Sequence, residues 1–182
     1  MLRNASRFRY IFISFVALLL ISCQGNAISQ TAQKLERYAL NSRDLPKGWE
    51  FFSEGWSSEP GEHYYGTTFG VPNRDIIGLS QVVEWYPDED QARLGYSEYE
   101  EEWFSVGQEW PGAEFTPLDT KDNYRYVCLD VFTEILTCRF LQRHNNIVTL
   151  ILVNFDDKVM NMTQFNEILK VLDTRLNTVT LD

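Results

Sequence analysis

The sequence predicts an α+β fold, an antiparallel β-sheet with helices packed on its faces. Three observations predict it. The periodic segments run helix, strands, helix, strands, helix. The later strand-like runs follow one another through tight turns, at Phe132-Thr133-Glu134 and at Asn145-Asn146. The run Ile147-Val148-Thr149-Leu150-Ile151-Leu152-Val153 is almost wholly apolar, as expected of a strand covered on both faces.

Taken in order, residues 34–40 predict a short helix with Ala32, Leu35 and Ala39 on one face, ending at Asn41-Ser42. Residues 49–58 and 64–71 alternate loosely, are rich in aromatics and read as strands separated at Glu59-Pro60-Gly61. A third strand over 76–86 is stopped by Pro87. Asp88 then suits an N-cap, and Ala92, Tyr96, Tyr99 and Trp103 recur at helical spacing. The other side of that helix carries Glu89, Glu98, Glu100, Glu101 and Glu102, which read as a solvated face. A loop over 107–117 leads to strands over 124–131, 135–143 and 147–153. Asn145 and Asn146 accept positive φ at modest cost, which suits the second of these turns. Thr163 is the expected cap of a last helix whose buried stripe is Phe165, Ile168, Leu169, Leu172 and Leu176.

If the first of those turns centres on Thr133, residues whose numbers sum to 266 face each other. Cys128 then lies opposite Cys138, Tyr126 opposite Phe140 and Val131 opposite Ile135. Directly opposed residues have Cα atoms about 4.5–5.5 Å apart, close enough for a cross-strand disulfide. The other possibility is a pair of buried thiols acting as small hydrophobes. No Cys-x-x-Cys is present, so a redox-active role is not expected.

The amino terminus has a different character. Residues 1–9 are basic and contain no acid, and residues 10–21 are almost purely apolar. Twelve residues span about 18 Å as a helix, short of the ~30 Å hydrocarbon core, so this segment reads as a secretion signal rather than a membrane span. Leu20-Ile21-Ser22-Cys23 resembles the lipobox of bacterial lipoproteins. The resemblance implies cleavage before Cys23 and thioether attachment of a diacylglycerol to its sulfur, hence a membrane anchor carrying palmitate-type acyl chains. The expected organisation is a signal peptide over 1–22, a lipidated polar tether over 23–33 and one α+β domain over 34–182. Assigning Cys23 to lipid also leaves the even pair Cys128 and Cys138.

The chain has 16 basic and 26 acidic side chains, a net charge of −10. Arg3, Arg7 and Arg9 fall within the signal, so the remainder carries 13 against 26, or −13. Such a surface argues against nucleic acid as a partner and favours a basic or neutral one.

Catalytic motifs are scarce. His63 and His144 are the only histidines, and neither has a partner spacing that builds a site. There is no Gly-x-Ser-x-Gly elbow, no phosphate-binding glycine loop and no His-Glu-x-x-His, so neither an enzyme nor a metal or other cofactor is expected. Asp88-Glu89-Asp90 lacks the glycine and terminal glutamate of a calcium loop and is better placed in a helix first turn. Aromatics make up 14 % of the chain. Trp49, Trp85 and Trp103 are expected in the core, whereas Trp56, Tyr64, Tyr65 and Trp110 are the candidates for contact with a ligand or partner.

Asp44-Leu45-Pro46-Lys47-Gly48-Trp49 resembles the opening motif of many bacterial lipoproteins and of extracellular sensor domains joined to actinobacterial Ser/Thr kinases. Arg143-His144-Asn145-Asn146-Ile147-Val148 is similar to their "R-x-G-N-x-V" hairpin, with Asn145 where the family usually has glycine. These proteins and LpqN-type lipoproteins resemble the PsbP-like fold. The resemblance implies a PsbP-like sandwich and a non-catalytic, periplasmic or otherwise extracytoplasmic domain, an accessory subunit of a membrane complex or a binder of a small ligand. An alternative is a carbohydrate- or envelope-binding module using the loop aromatics. The matching positions are turn and core residues, so no catalytic residue is carried over.

Overall fold

Alternation along the strands, with apolar residues on both faces of the central ones, calls for cover on each side of the sheet. A computed structural model describes residues 34–56, 63–104, 123–132 and 135–178. Six strands form one antiparallel sheet: β1 (Glu50–Trp56), β2 (His63–Val71), β3 (Arg74–Trp85), β4 (Asn123–Phe132), β5 (Ile135–His144) and β6 (Ile147–Phe155), in the order β1-β2-β3-β6-β5-β4. The two helices are α1 (Glu89–Phe104) and α2 (Met162–Thr178). The predicted α+β class is the observed one.

Strand period assigns the two faces. On one, Phe69, Leu79, Val83, Phe140, Ile151, Val153 and Phe155 meet the α2 stripe Phe165, Ile168, Leu169, Leu172 and Leu176. On the other, Leu141, Val148 and Leu150 meet Ala92 and Tyr96 of α1. Successive residues of β6 therefore serve opposite cores, which is why its sequence is almost wholly apolar.

Local signals account for most boundaries. The Asp88 side chain accepts a hydrogen bond from the Gln91 amide at 2.8 Å, as an N-cap should. Asn145 has φ 51° in the two-residue turn between β5 and β6, and Asn73 has φ 62° between β2 and β3. Cys128 and Cys138 are direct partners across β4 and β5, their sulfurs bonded and both side chains buried.

Several expectations need correction. α2 is capped by Asn161, not Thr163. Asn161 Oδ1 accepts from the Gln164 amide at 3.0 Å, and Gln164 Oε1 accepts from the Asn161 amide at 2.9 Å. This reciprocal capping box satisfies two orphan donors, which a cap two residues further in would leave open. The 266 register holds from Asn123 to Asp130 and then slips, so Phe132 rather than Val131 pairs with Ile135. One extra residue on β4, a bulge, absorbs the difference. Only 34–36 is helical among the described residues of the expected first helix, with turns following. The first strand starts at Glu50, because Trp49 is drawn into the core, where its indole N–H donates to the Val159 carbonyl at 3.4 Å. β3 begins at Arg74, two residues earlier than expected, because Pro72-Asn73 makes a tight hairpin.

The two family-like motifs are structural. Asp44 takes both Arg175 contacts at 2.7 Å and the Asn41 amide at 2.7 Å, pinning the segment before β1 to α2. Gly48 has φ 100°, a conformation L residues rarely adopt. Arg143 folds back to donate to the Asn145 carbonyl at 3.1 Å, bracing the β5–β6 turn.

Candidate functional site

Beyond β3, Pro87 and Asp88 turn the chain straight into α1, which packs over β5 and β6 and leaves one stripe alongside the end of β3. Helical period then sets Gly95, Glu98, Tyr99 and Glu102 on one stripe. That stripe faces the last residues of β3 and the first of β2. Between them lies a cavity of about 400 Å³, lined by His63, Tyr64, Glu84, Trp85, Tyr86, Gly95, Glu98, Tyr99 and Glu102.

Glu84 is its centre. Its two carboxylate oxygens accept the Tyr86 hydroxyl at 2.5 Å and the Tyr99 hydroxyl at 2.7 Å. Charge-assisted bonds of this kind hold an acceptor in one orientation. Burial, reinforced by the Glu84 charge, pushes both phenols above their ordinary 10.0. They are therefore donors and not bases at neutral pH. Tyr86 is itself fixed from the neighbouring hairpin. Its amide donates to the Asn146 carbonyl at 2.9 Å, and the Asn146 side-chain amide donates to its carbonyl at 2.9 Å.

Gly95 completes the arrangement. A Cβ there would fall on the Tyr86 hydroxyl and ring, with Cε1 at 2.8 Å, so only glycine lets the phenol pass α1 to reach Glu84. A glycine inside a helix costs about 1 kcal/mol relative to alanine. Here it makes room for a hydrogen bond. His63 and Trp85 are cross-strand partners with ring centroids 5.4 Å apart, and they close the outer wall.

Three carboxylates and four aromatic rings thus surround one space, with no lysine or arginine among the described lining residues. No group of histidine, cysteine or carboxylate side chains arranged to hold a metal occurs among the described residues. No described helix is long and apolar enough to cross a membrane.

The expected contact residues separate. Tyr64 lines this cavity. Tyr65, its neighbour in β2, points to the opposite face, is 7 % exposed and donates to Glu54 at 2.5 Å. The pleat sends these two neighbouring side chains to opposite faces of the sheet. Trp56 is 53 % exposed on the edge strand β1. Trp110 and Cys23 lie outside the described residues. Trp85, expected only in the core, also lines the cavity, and Glu98 and Glu102 are part of its wall as well as of an acidic helix face. Glu84, Tyr86 and Gly95 were not singled out by the sequence. The local signal for them was a carboxylate at a strand position between Val83 and Trp85, and a glycine in the middle of a helical stripe.

One six-stranded antiparallel sheet with a helix on either face defines the structural class. No protein-family model matches the chain, and no curated protein does. Among solved structures, the chain is similar to the crystal structure of the extracellular domain of PknH from Mycobacterium tuberculosis, with a TM-score of 0.57 and 13 % identity. The alignment covers 80 % of this chain and 96 % of that one. At that identity the likeness is one of fold.

Proposed function

We propose that this chain is a lipid-anchored extracytoplasmic domain that binds without catalysis, and that its site is the cavity around Glu84, which takes an organic cation. The observation that carries the proposal is the fixed Glu84 carboxylate between two phenol donors, with Glu98 and Glu102 beside it and aromatic rings as walls. An ammonium or guanidinium group gains from both features, since cation–π contact adds about 0.5–2 kcal/mol to the ionic attraction. The acidic balance of the chain pulls the same way. The extracytoplasmic assignment is supported by the signal-like first 22 residues, by Cys23 and by the extracellular nature of the PknH domain of shared fold. Both Glu84 oxygens are held by phenol donors, which favours binding over reaction.

Two measurements test this. Growth with an alkyne-tagged palmitate should label the chain, and Cys23→Ala should abolish the label; an unlabelled wild-type chain refutes the anchor. Isothermal titration of the soluble domain with choline and with arginine methyl ester should give binding that weakens with added salt and is lost in Glu84→Gln. Equal affinity in Glu84→Gln refutes the site.

A further inference from the structure

A second cavity, of about 330 Å³, opens on the α2 face between the segment before β1 and strands β1 and β2. Its floor is apolar: Phe51 meets Phe69 edge to face at 5.8 Å, beside Leu40. Set into that floor is Thr67, 4 % exposed, whose hydroxyl has no hydrogen-bond partner among the described residues. An unpaired buried hydroxyl is a standing cost that valine, of nearly the same shape, would remove. Beside it Tyr65 donates to Glu54, and Glu54 keeps acceptor capacity at its second oxygen. The charged side chains round the cavity cancel in number, Glu36 and Glu54 against Arg37 and Arg175, whereas the carboxylates around Glu84 face no lysine or arginine among the described lining residues.

We propose that this cavity is a separate binding site for a neutral polyhydroxylated ligand, a pyranose ring or a cyclic polyol. Such a ring presents C–H groups to the half-exposed Phe51 face. Its hydroxyls, both donor and acceptor, supply Thr67 with its missing partner and donate to Glu54. The balanced charge disfavours the organic cation that suits the first cavity.

The test uses the soluble domain and a panel of methyl β-glucoside, N-acetylglucosamine, trehalose and myo-inositol, observed by saturation-transfer NMR and then titration calorimetry. At least one should bind. Thr67→Val should weaken that binding about tenfold while the unliganded variant melts no lower than the wild type. Phe51→Ala, at a half-exposed position, should also weaken it, and Glu84→Gln should leave it unchanged. The proposal is overturned if no panel member binds, or if Thr67→Val binds like the wild type. A lower melting temperature for unliganded Thr67→Val overturns it too, because the hydroxyl then serves the fold.

Discussion

Replacing Gly95 by alanine separates the demands of the helix from those of the cavity. In an ordinary helix interior the change stabilises by about 0.8–1 kcal/mol. Here the new methyl group occupies the space of the Tyr86 hydroxyl and ring. The phenol must swing away from Glu84, losing a bond to a charged acceptor worth about 1.5–3 kcal/mol, together with its packing against α1. The net expectation is a loss of about 1–2 kcal/mol, or about 2–8 °C in melting temperature for a domain of this size. Thermal melts of four proteins measure it: wild type, Gly95→Ala, Tyr86→Ala and the double variant. With Tyr86 truncated there is nothing to displace, so Gly95→Ala should then stabilise by about 0.8–1 kcal/mol. That reversal of sign is specific to the geometry. If Gly95→Ala stabilises the wild-type background as well, Tyr86 does not occupy the space beside Gly95, and the account of the cavity fails.

Other consequences follow from the same contacts. Tyr38, Tyr65, Tyr86, Tyr96, Tyr99 and Tyr126 are all pushed above 10.0, chiefly by burial, so the folded state retains phenol protons that the unfolded state loses. Stability should therefore be insensitive to these groups below pH about 10 and fall as pH rises beyond it, with most phenolate absorbance appearing at the unfolding transition; early titration of most of the eight tyrosines that follow residue 23 contradicts this. The unreduced domain beginning at residue 24 should show no alkylatable thiol by mass spectrometry. Cys128→Ala with Cys138→Ala should cost about 3 kcal/mol, or about 6–12 °C. Asp44→Ala leaves Arg175 half-buried without its carboxylate and should cost about 2–3 kcal/mol, with little further loss on adding Arg175→Ala; simple additivity in chemical denaturation would show that the pair does not act as a unit.

The fold was legible where one residue type fulfils one local requirement. Asp88 caps α1, Asn145 takes positive φ, and a turn near Thr133 brings Cys128 opposite Cys138. Legibility failed by small steps where two local solutions compete. Asn161 with Gln164 makes a better cap than Thr163, and a bulge lets the β4–β5 hairpin close one residue away from the symmetric register. The cavity was harder to read. Its carboxylate comes from β3, one phenol from the residue after β3 and the other from α1, the first phenol held by a hairpin turn sixty residues later in the chain. Hydrogen bonds between separate elements leave no periodicity in a sequence. Gly95 is visible in the sequence as an exception to the helix, but its purpose appears only when Tyr86 is beside it. Tyr64 and Tyr65 show the converse: as neighbours in sequence they suggested one surface, and the pleat sends them to opposite faces.

An organic cation bound at the first cavity would sit against Glu84. Backbone amide NMR shifts during titration of the soluble domain with arginine methyl ester test it most directly. Saturable shifts confined to residues 63–64, 84–86 and 95–102, and absent in Glu84→Gln, are expected. Shifts centred instead on residues 36–54, or none at all, would contradict it.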